Sequence, residues 1–157
     1  MTSKPAAPRY SHSGICVADL ERSLAFYRNV LGFTQGGELR NAHEHNALLQ
    51  LEGNVLLHSV FLRCGGLVIE LLHFISPAPH GSAALRPLNQ FGLTHLSFNV
   101  DALDDMITLV QKWGGTVVAG SRSRFSLPGM QGEIIFVQDP DGTRLELVSF
   151  PQDPVMA

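Results

Sequence analysis

Gly142-Thr143-Arg144-Leu145-Glu146-Leu147-Val148-Ser149-Phe150 restates an earlier run of the chain, Gly66-Leu67-Val68-Ile69-Glu70-Leu71-Leu72-His73-Phe74. Gly, Glu, Leu and Phe fall in the same places. Each run has the length and apolar content of a strand. In each, one Glu stands between two aliphatics: Ile69 and Leu71, Leu145 and Leu147. Side chains alternate across a strand, so each Glu points away from its aliphatic neighbours. If the aliphatics pack under helices, both carboxylates face the opposite side, where an unpaired carboxylate needs a cation or a proton.

Upstream of each run the pattern also repeats. Leu20 to Leu31 carries Leu20, Leu24, Tyr27 and Leu31 at helical spacing, with Asp19 placed to cap it and Gly32 to stop it. Leu103 to Trp113 does the same with Leu103, Met106, Ile107 and Val110, with Asp101 as the expected cap and Gly114-Gly115 as the stop. His12 precedes the first helix and His95 the second, each five residues before a valine, Val17 and Val100. The remaining apolar segments read as strands: 11–18, 33–40, 46–51, 55–63, 67–74, 93–100, 116–119, 133–138 and 143–150. Residues 76–90, with Pro77, Pro79, Gly81 and Pro87, read as loop, as do residues 121–132. Asp139-Pro140-Asp141-Gly142 reads as a tight turn. The order strand, helix, strands occurs twice, which is an internal duplication. The fold class expected is α+β. Its domains are a flexible tail 1–9, a first βαβββ module 10–75, a linker loop 76–91, a second module 92–150 and a tail 151–157.

Composition narrows the function. The 157 residues are 45% hydrophobic and 16% charged, with a net charge of -3. That is a globular balance without the basic surplus that nucleic acid or an anionic membrane surface would require. No run reaches the ~18 apolar residues of a membrane span, and the first nine residues hold no apolar segment of a secretory signal. A cytoplasmic protein acting on a small molecule is expected. Cys16 and Cys64 both lie in apolar runs and read as reduced core thiols.

Alternation places His12 with Gly14 and Cys16, and His95 with Ser97 and Asn99. Two His and two Glu from four strands suit a borderline divalent ion such as Ni, Zn, Co, Mn or Fe. Taken singly, each also fits a half-exposed strand with a solvated face. Recurrence of the pair in both halves points to a shared metal site. Of the other histidines, His43 and His45 read as solvated, His58 as a core or rim residue, His73 as facing away from Glu70, and His80 as a loop residue. Phe61, Phe91, Phe125 and Phe136 are candidates for an apolar pocket or for core. Arg122 and Arg124, in the second loop, are the candidate clasp for an anionic substrate tail.

His12 followed by Asp19-Leu20-Glu21-Arg22-Ser23-Leu24-Ala25-Phe26-Tyr27-Arg28-Asn29-Val30-Leu31-Gly32-Phe33 resembles the opening of the vicinal oxygen chelate superfamily, which groups glyoxalases, bleomycin-resistance proteins and extradiol dioxygenases. Val137 to Leu147 resembles its closing motif, and the likeness runs from about Tyr10 to Phe150. The resemblance implies paired βαβββ modules forming a curved mixed sheet around a divalent metal, with His12, Glu70, His95 and Glu146 on the ligand positions. A His-Glu-His-Glu set matches bacterial glyoxalase I. It implies a metal-dependent lyase or isomerase of glyoxalase I-like type that stabilises an enediolate or enolate by chelating two substrate oxygens. Glu146 is then the base, with Glu70 its near-symmetric partner. The alternatives are an epimerase acting on a CoA thioester, an extradiol ring-cleaving dioxygenase, or an antibiotic-binding resistance protein. Family members with two modules commonly form homodimers, and some build the site from one module of each chain. One departure concerns the substrate. Where bacterial glyoxalase I carries an Arg that helps hold glutathione, this chain has Cys16.

Overall fold

The computed structural model describes residues 6–42, 46–127 and 130–150. The expectations for residues 1–5 and 151–157 of the tails, and for His43 and His45, lie outside them. The elements run β1 (Ser13–Cys16), α1 (Leu20–Leu31), β2 (Thr34–Ala42), α2 (Asn46–Leu49), β3 (Leu56–Cys64), β4 (Leu67–Ser76), β5 (Leu96–Asn99), α3 (Leu103–Lys112), β6 (Thr116–Val117), β7 (Ser123–Leu127), β8 (Met130–Gln138) and β9 (Arg144–Ser149). They form two mixed sheets, ordered β1-β4-β3-β2 and β5-β9-β8-β6, with β7 also paired to β8. In each sheet the opening strand lies parallel to the closing one. This is the expected α+β fold of two βαβββ modules, with β6 and β7 sharing along β8 the place that β2 fills along β3.

Ile69, Leu71, Leu145 and Leu147 are fully buried. They belong to one core with Ile15, Leu62 and Val137 of the strands and Phe26, Tyr27 and Val110 of the helices. α1 and α3 pack on each other and share this core with one face of each sheet. The helix starts differ. Asp19 caps α1 through its side chain, accepting from the Arg22 amide at 3.0 Å, a contact worth ~1 kcal/mol. For α3 the capping residue is Ala102 rather than Asp101, and no side-chain bond closes it.

Three other expectations are corrected. Residues 46–51 do not form a strand but contain the single-turn α2, held by Asn46 Nδ2 donating to the Gly53 carbonyl at 2.8 Å. Within the expected loop 121–132, residues 123–127 and 130–132 are strand instead, β7 pairing antiparallel with the start of β8. Cys16 is not a core thiol but exposed, while Cys64 is half-buried. Partial burial, and then Asp141, push the Cys16 thiol above its ordinary pKa. No helix among the described residues is long and apolar enough to cross a membrane.

The turn after β8 joins the modules. The buried Tyr27 hydroxyl of α1 donates to Asp139 Oδ2 at 2.9 Å. Asp139 Oδ1 accepts from the amides of Asp141 and Thr143 at 3.0 and 2.7 Å. Asp141 accepts from Ser23 Oγ at 3.1 Å and pairs with Arg22. Gly142 has φ +92°, and a Cβ there would stand 2.6 Å from Ala83 Cα. The linker therefore rests directly on this turn, held also by Gln138 Nε2 donating to the Ala83 carbonyl at 2.8 Å.

Candidate metal centre

Each half of the chain builds the same small arrangement on the sheet face turned away from the core. In the first, Gly14 of β1 lies opposite Glu70 of β4, and Phe61 of β3 lies opposite Glu70 on the other side. His12, just before β1, places Nε2 3.2 Å from Glu70 Oε2 and meets the Phe61 ring edge-on at 5.3 Å. In the second, Ser97 of β5 and Phe136 of β8 flank Glu146 of β9. His95 places Nε2 3.5 Å from Glu146 Oε2 and meets the Phe136 ring at 5.3 Å. The carboxylates are the better shielded partners, 14% and 19% exposed against 35% and 28% for the imidazoles.

The other imidazole nitrogen is held as well. Ser11 Oγ lies 2.9 Å from Nδ1 of His12, and Thr94 Oγ1 lies 2.9 Å from Nδ1 of His95. A hydroxyl residue immediately before each His thus fixes the ring so that Nε2 is presented with the carboxylate, as outer-shell groups do for metal-binding imidazoles. The repeated Ser/Thr-His pair is visible in the sequence and is a signal the motif reading passed over. The halves differ beside the carboxylate. Ser97 donates to Glu146 at 2.7 Å, whereas the equivalent position beside Glu70 is Gly14, where a Cβ would press on Leu72 Cδ1 at 3.0 Å.

Two imidazole nitrogens and two carboxylates are a donor set suited to a borderline divalent ion, and each carboxylate lies beside an imidazole nitrogen. The residues present therefore fit the group. The chain brings together His12 with Glu70 and His95 with Glu146. It does not bring the pairs together: among the described residues no three His, Cys, Asp or Glu side chains gather into a metal-holding group. Each pair lies on the face of its sheet opposite the buried core residues.

The two candidate clasp arginines lie elsewhere. Arg124 stands opposite Glu133 in the β7–β8 register, and Glu133 shares its face of β8 with buried Ile135 and Val137. Arg124 Nε donates to Glu133 Oε1 at 2.6 Å, and Arg122 binds both Glu133 and Asp104 of α3. These arginines hold Glu133 below the usual carboxylate range. Hydrogen bonds to Asp104 and Glu133 push the Arg122 guanidinium up. Both arginines thus sit on the helix side of the sheet, opposite Glu146. Arg144 lies instead on the Glu146 face, two residues away along β9, with its guanidinium 5.7 Å from the Phe136 ring centre.

His58 and His73 stand opposite each other on β3 and β4, on the face away from Glu70, where His58 Nε2 lies 3.2 Å from Glu38 and His73 Nδ1 3.4 Å from the Val17 carbonyl. Phe91 is fully exposed in the linker, and Phe125 leans on Phe150 at 6.4 Å.

Comparison with known proteins gives a consistent family. A family model described as the Glyoxalase/Bleomycin resistance protein/Dioxygenase superfamily matches residues 9–147. The uncharacterized protein YaeR of Escherichia coli K12 is 34% identical over 137 residues, 87% of this chain and 92% of that one. The lactoylglutathione lyase of Salmonella typhimurium is 30% identical over 140 residues, 89% and 91% of the two chains. Among solved structures, a glyoxalase family protein from Bacillus cereus superposes with a TM-score of 0.77 at 18% identity, over 96% of this chain and 99% of that one.

Proposed function

The chain belongs to the glyoxalase/bleomycin resistance protein/dioxygenase superfamily, and from that premise we propose that it is a divalent-metal-dependent lyase or isomerase of glyoxalase I-like type. We further propose that it works as a homodimer, in which His12 and Glu70 of one protomer and His95 and Glu146 of its partner hold one ion. The observation that carries this reading is the pair of matching His–Glu arrangements, each complete with its hydroxyl and phenylalanine and each on an outward face. A second copy can supply the missing half without disturbing the core. The relative named lactoylglutathione lyase supports an enzyme of this superfamily.

His12, Glu70, His95 and Glu146 would hold the ion, Ni, Zn, Co, Mn or Fe, and it would supply Lewis-acid stabilisation of the negative charge that develops on two adjacent substrate oxygens. The chain's own groups do the rest. Glu146 takes the proton from the carbon beside those oxygens and returns it to the neighbouring position. The Ser97 hydroxyl orients Glu146 for that transfer. Glu70, with no hydroxyl beside it, serves as the opposite ligand and alternative proton carrier. Phe61 and Phe136 shield the imidazoles and reduce water access, which strengthens the electrostatics of the site.

The test is Glu146→Gln. Turnover of a hemithioacetal by the metal-loaded protein is expected to fall by about 10²- to 10⁴-fold, the usual loss for a general base, with the circular dichroism spectrum unchanged. Full activity in this variant would remove Glu146 as the base. Failure of the wild-type protein to retain any divalent ion after dialysis would remove the metal-enzyme reading itself.

A further inference from the structure

We propose that Arg144 is the specificity-determining cation of this site, and that it receives the carboxylate of a small organic acid whose two vicinal oxygens face His95 and Glu146. The proposal deepens the metal-enzyme reading and rests on it for the second half of that statement. Arg144, Phe136, His95 and Glu146 form a continuous surface: the guanidinium stands 5.7 Å from the Phe136 ring, that ring meets His95 at 5.3 Å, and His95 meets Glu146 at 3.5 Å. A guanidinium against an aromatic face keeps its charge while shedding water, and it presents a planar fork matched to a carboxylate.

Three further observations bear on Arg144. First, among the described residues Arg144, like Arg63 and Arg86, pairs with no carboxylate, whereas Arg22, Arg40, Arg122 and Arg124 each do. One of its nitrogens donates to the Arg86 carbonyl, which fixes the side chain without neutralising it. Second, Arg144 and Arg86 line one pocket of about 250 Å³ together with His95, Leu85 and Leu93. That is room for roughly eight waters, the scale of a short aliphatic acid. The linker wall of this pocket is anchored where Ala83 rests on Gly142. Third, the first module has no counterpart. Val68 stands where the second module has Arg144, and the nearest cation on the Glu70 face, Arg63, reaches toward β2, its Nε 3.6 Å from the Cβ position of Gly36.

Charge makes the need plain. Two carboxylate ligands and one divalent ion sum to zero, so the metal cluster offers an anionic substrate no net long-range attraction. Arg144 supplies it, on one side only, and so also sets the direction in which a substrate lies across an otherwise near-symmetric site.

The experiment has two arms. In the metal-free protein, propionate and propionamide are titrated while the Arg144 Nε–H resonance, assigned by its loss in Arg144→Met, is followed by NMR. Propionate is expected to shift it and propionamide to leave it; no shift with propionate overturns the proposal. In the Ni-loaded protein, succinic monohydroxamate and butyrohydroxamate are compared by calorimetry. They share the chelating end and the carbon count and differ in a terminal carboxylate. The acid is expected to bind at least about tenfold more tightly, corresponding to ~1.4 kcal/mol. In Arg144→Met that preference is expected to vanish with butyrohydroxamate affinity unchanged, and in Arg63→Met it is expected to persist. Equal binding of the two hydroxamates to the wild type, or a preference that survives Arg144→Met, overturns the proposal and leaves the metal-enzyme reading intact. A propionate shift with no binding of either hydroxamate does the reverse: the anion site stands and the metal-enzyme reading falls.

Discussion

Ser97 is a polar difference between two half-sites that share His, Glu, Phe and a hydroxyl residue before the His. Its hydroxyl donates to Glu146 at 2.7 Å, while Gly14 leaves Glu70 without such a donor. A hydrogen bond to a charged acceptor is worth ~1.5–3 kcal/mol, or roughly 10- to 100-fold in rate if it is lost in the transition state. Ser97→Ala is therefore expected to lower kcat by about that factor while metal content, measured by atomic absorption, stays at the wild-type level. The reciprocal change, Gly14→Ser, adds a Cβ pressed at 3.0 Å against Leu72 and is expected to leave kcat unchanged if Glu146 alone moves the proton. A gain in the second variant would show that Glu70 shares the work. At this scale the pairing of His12 with Glu70 and of His95 with Glu146 was legible because strand alternation dictates which side chains share a face. Arg144 was equally legible by the same rule, two residues before Glu146. The choice of Arg122 and Arg124 instead followed from reading residues 121–132 as loop, whereas pairing with β8 commits Arg124 to the opposite face.

The elements are held in register with one another by the Asp139-Pro140-Asp141-Gly142 turn. Burial, then the Asp139 charge, push the Tyr27 phenol well above its ordinary pKa. Burial also raises Asp139. A raised phenol pKa contributes stability that is fully present below about pH 10, the unfolded value, and is lost as pH rises through the folded one, because unfolding then releases a proton. The thermal midpoint of the wild-type protein is expected to fall between pH 9 and pH 11 more steeply than that of Tyr27→Phe. At pH 7 the variant is expected to be about 1 kcal/mol less stable for the lost hydrogen bond. Parallel pH slopes in scanning calorimetry would show that Tyr27 is not the group responsible. Sequence reading identified this turn from Pro and Gly alone, and α1 from Asp19 and Gly32. It missed the single-turn α2, where four residues are too few for a period to register. It also missed β7, whose only sheet partner among the described strands is β8, so that local pattern carries little of its signal.

At the scale of the molecule, duplication gives two half-sites, and among the described residues no three ligating side chains gather into one group. α1, α3 and one face of each sheet share a single core, and the faces bearing His12–Glu70 and His95–Glu146 are the opposite ones. Sequence spacing could show four ligands but not which chain each comes from, since register within a sheet says nothing about contact between sheets. The proposed exchange of halves between protomers has a consequence that a site within one chain lacks. Mix a variant without the first pair, His12→Ala/Glu70→Ala, with one lacking the second, His95→Ala/Glu146→Ala, after mild denaturation and refolding. Each parent dimer has no complete ligand set. In a mixed dimer, the intact first pair of one protomer meets the intact second pair of the other, giving one whole site and one with no ligands. Random reassortment makes half the dimers mixed. The refolded mixture is therefore expected to regain about one quarter of the wild-type activity and tight metal binding per chain, both being near zero in each parent alone. No recovery, with sequential affinity capture of differently tagged parents showing that mixed dimers have formed, would place all four ligands within a single chain.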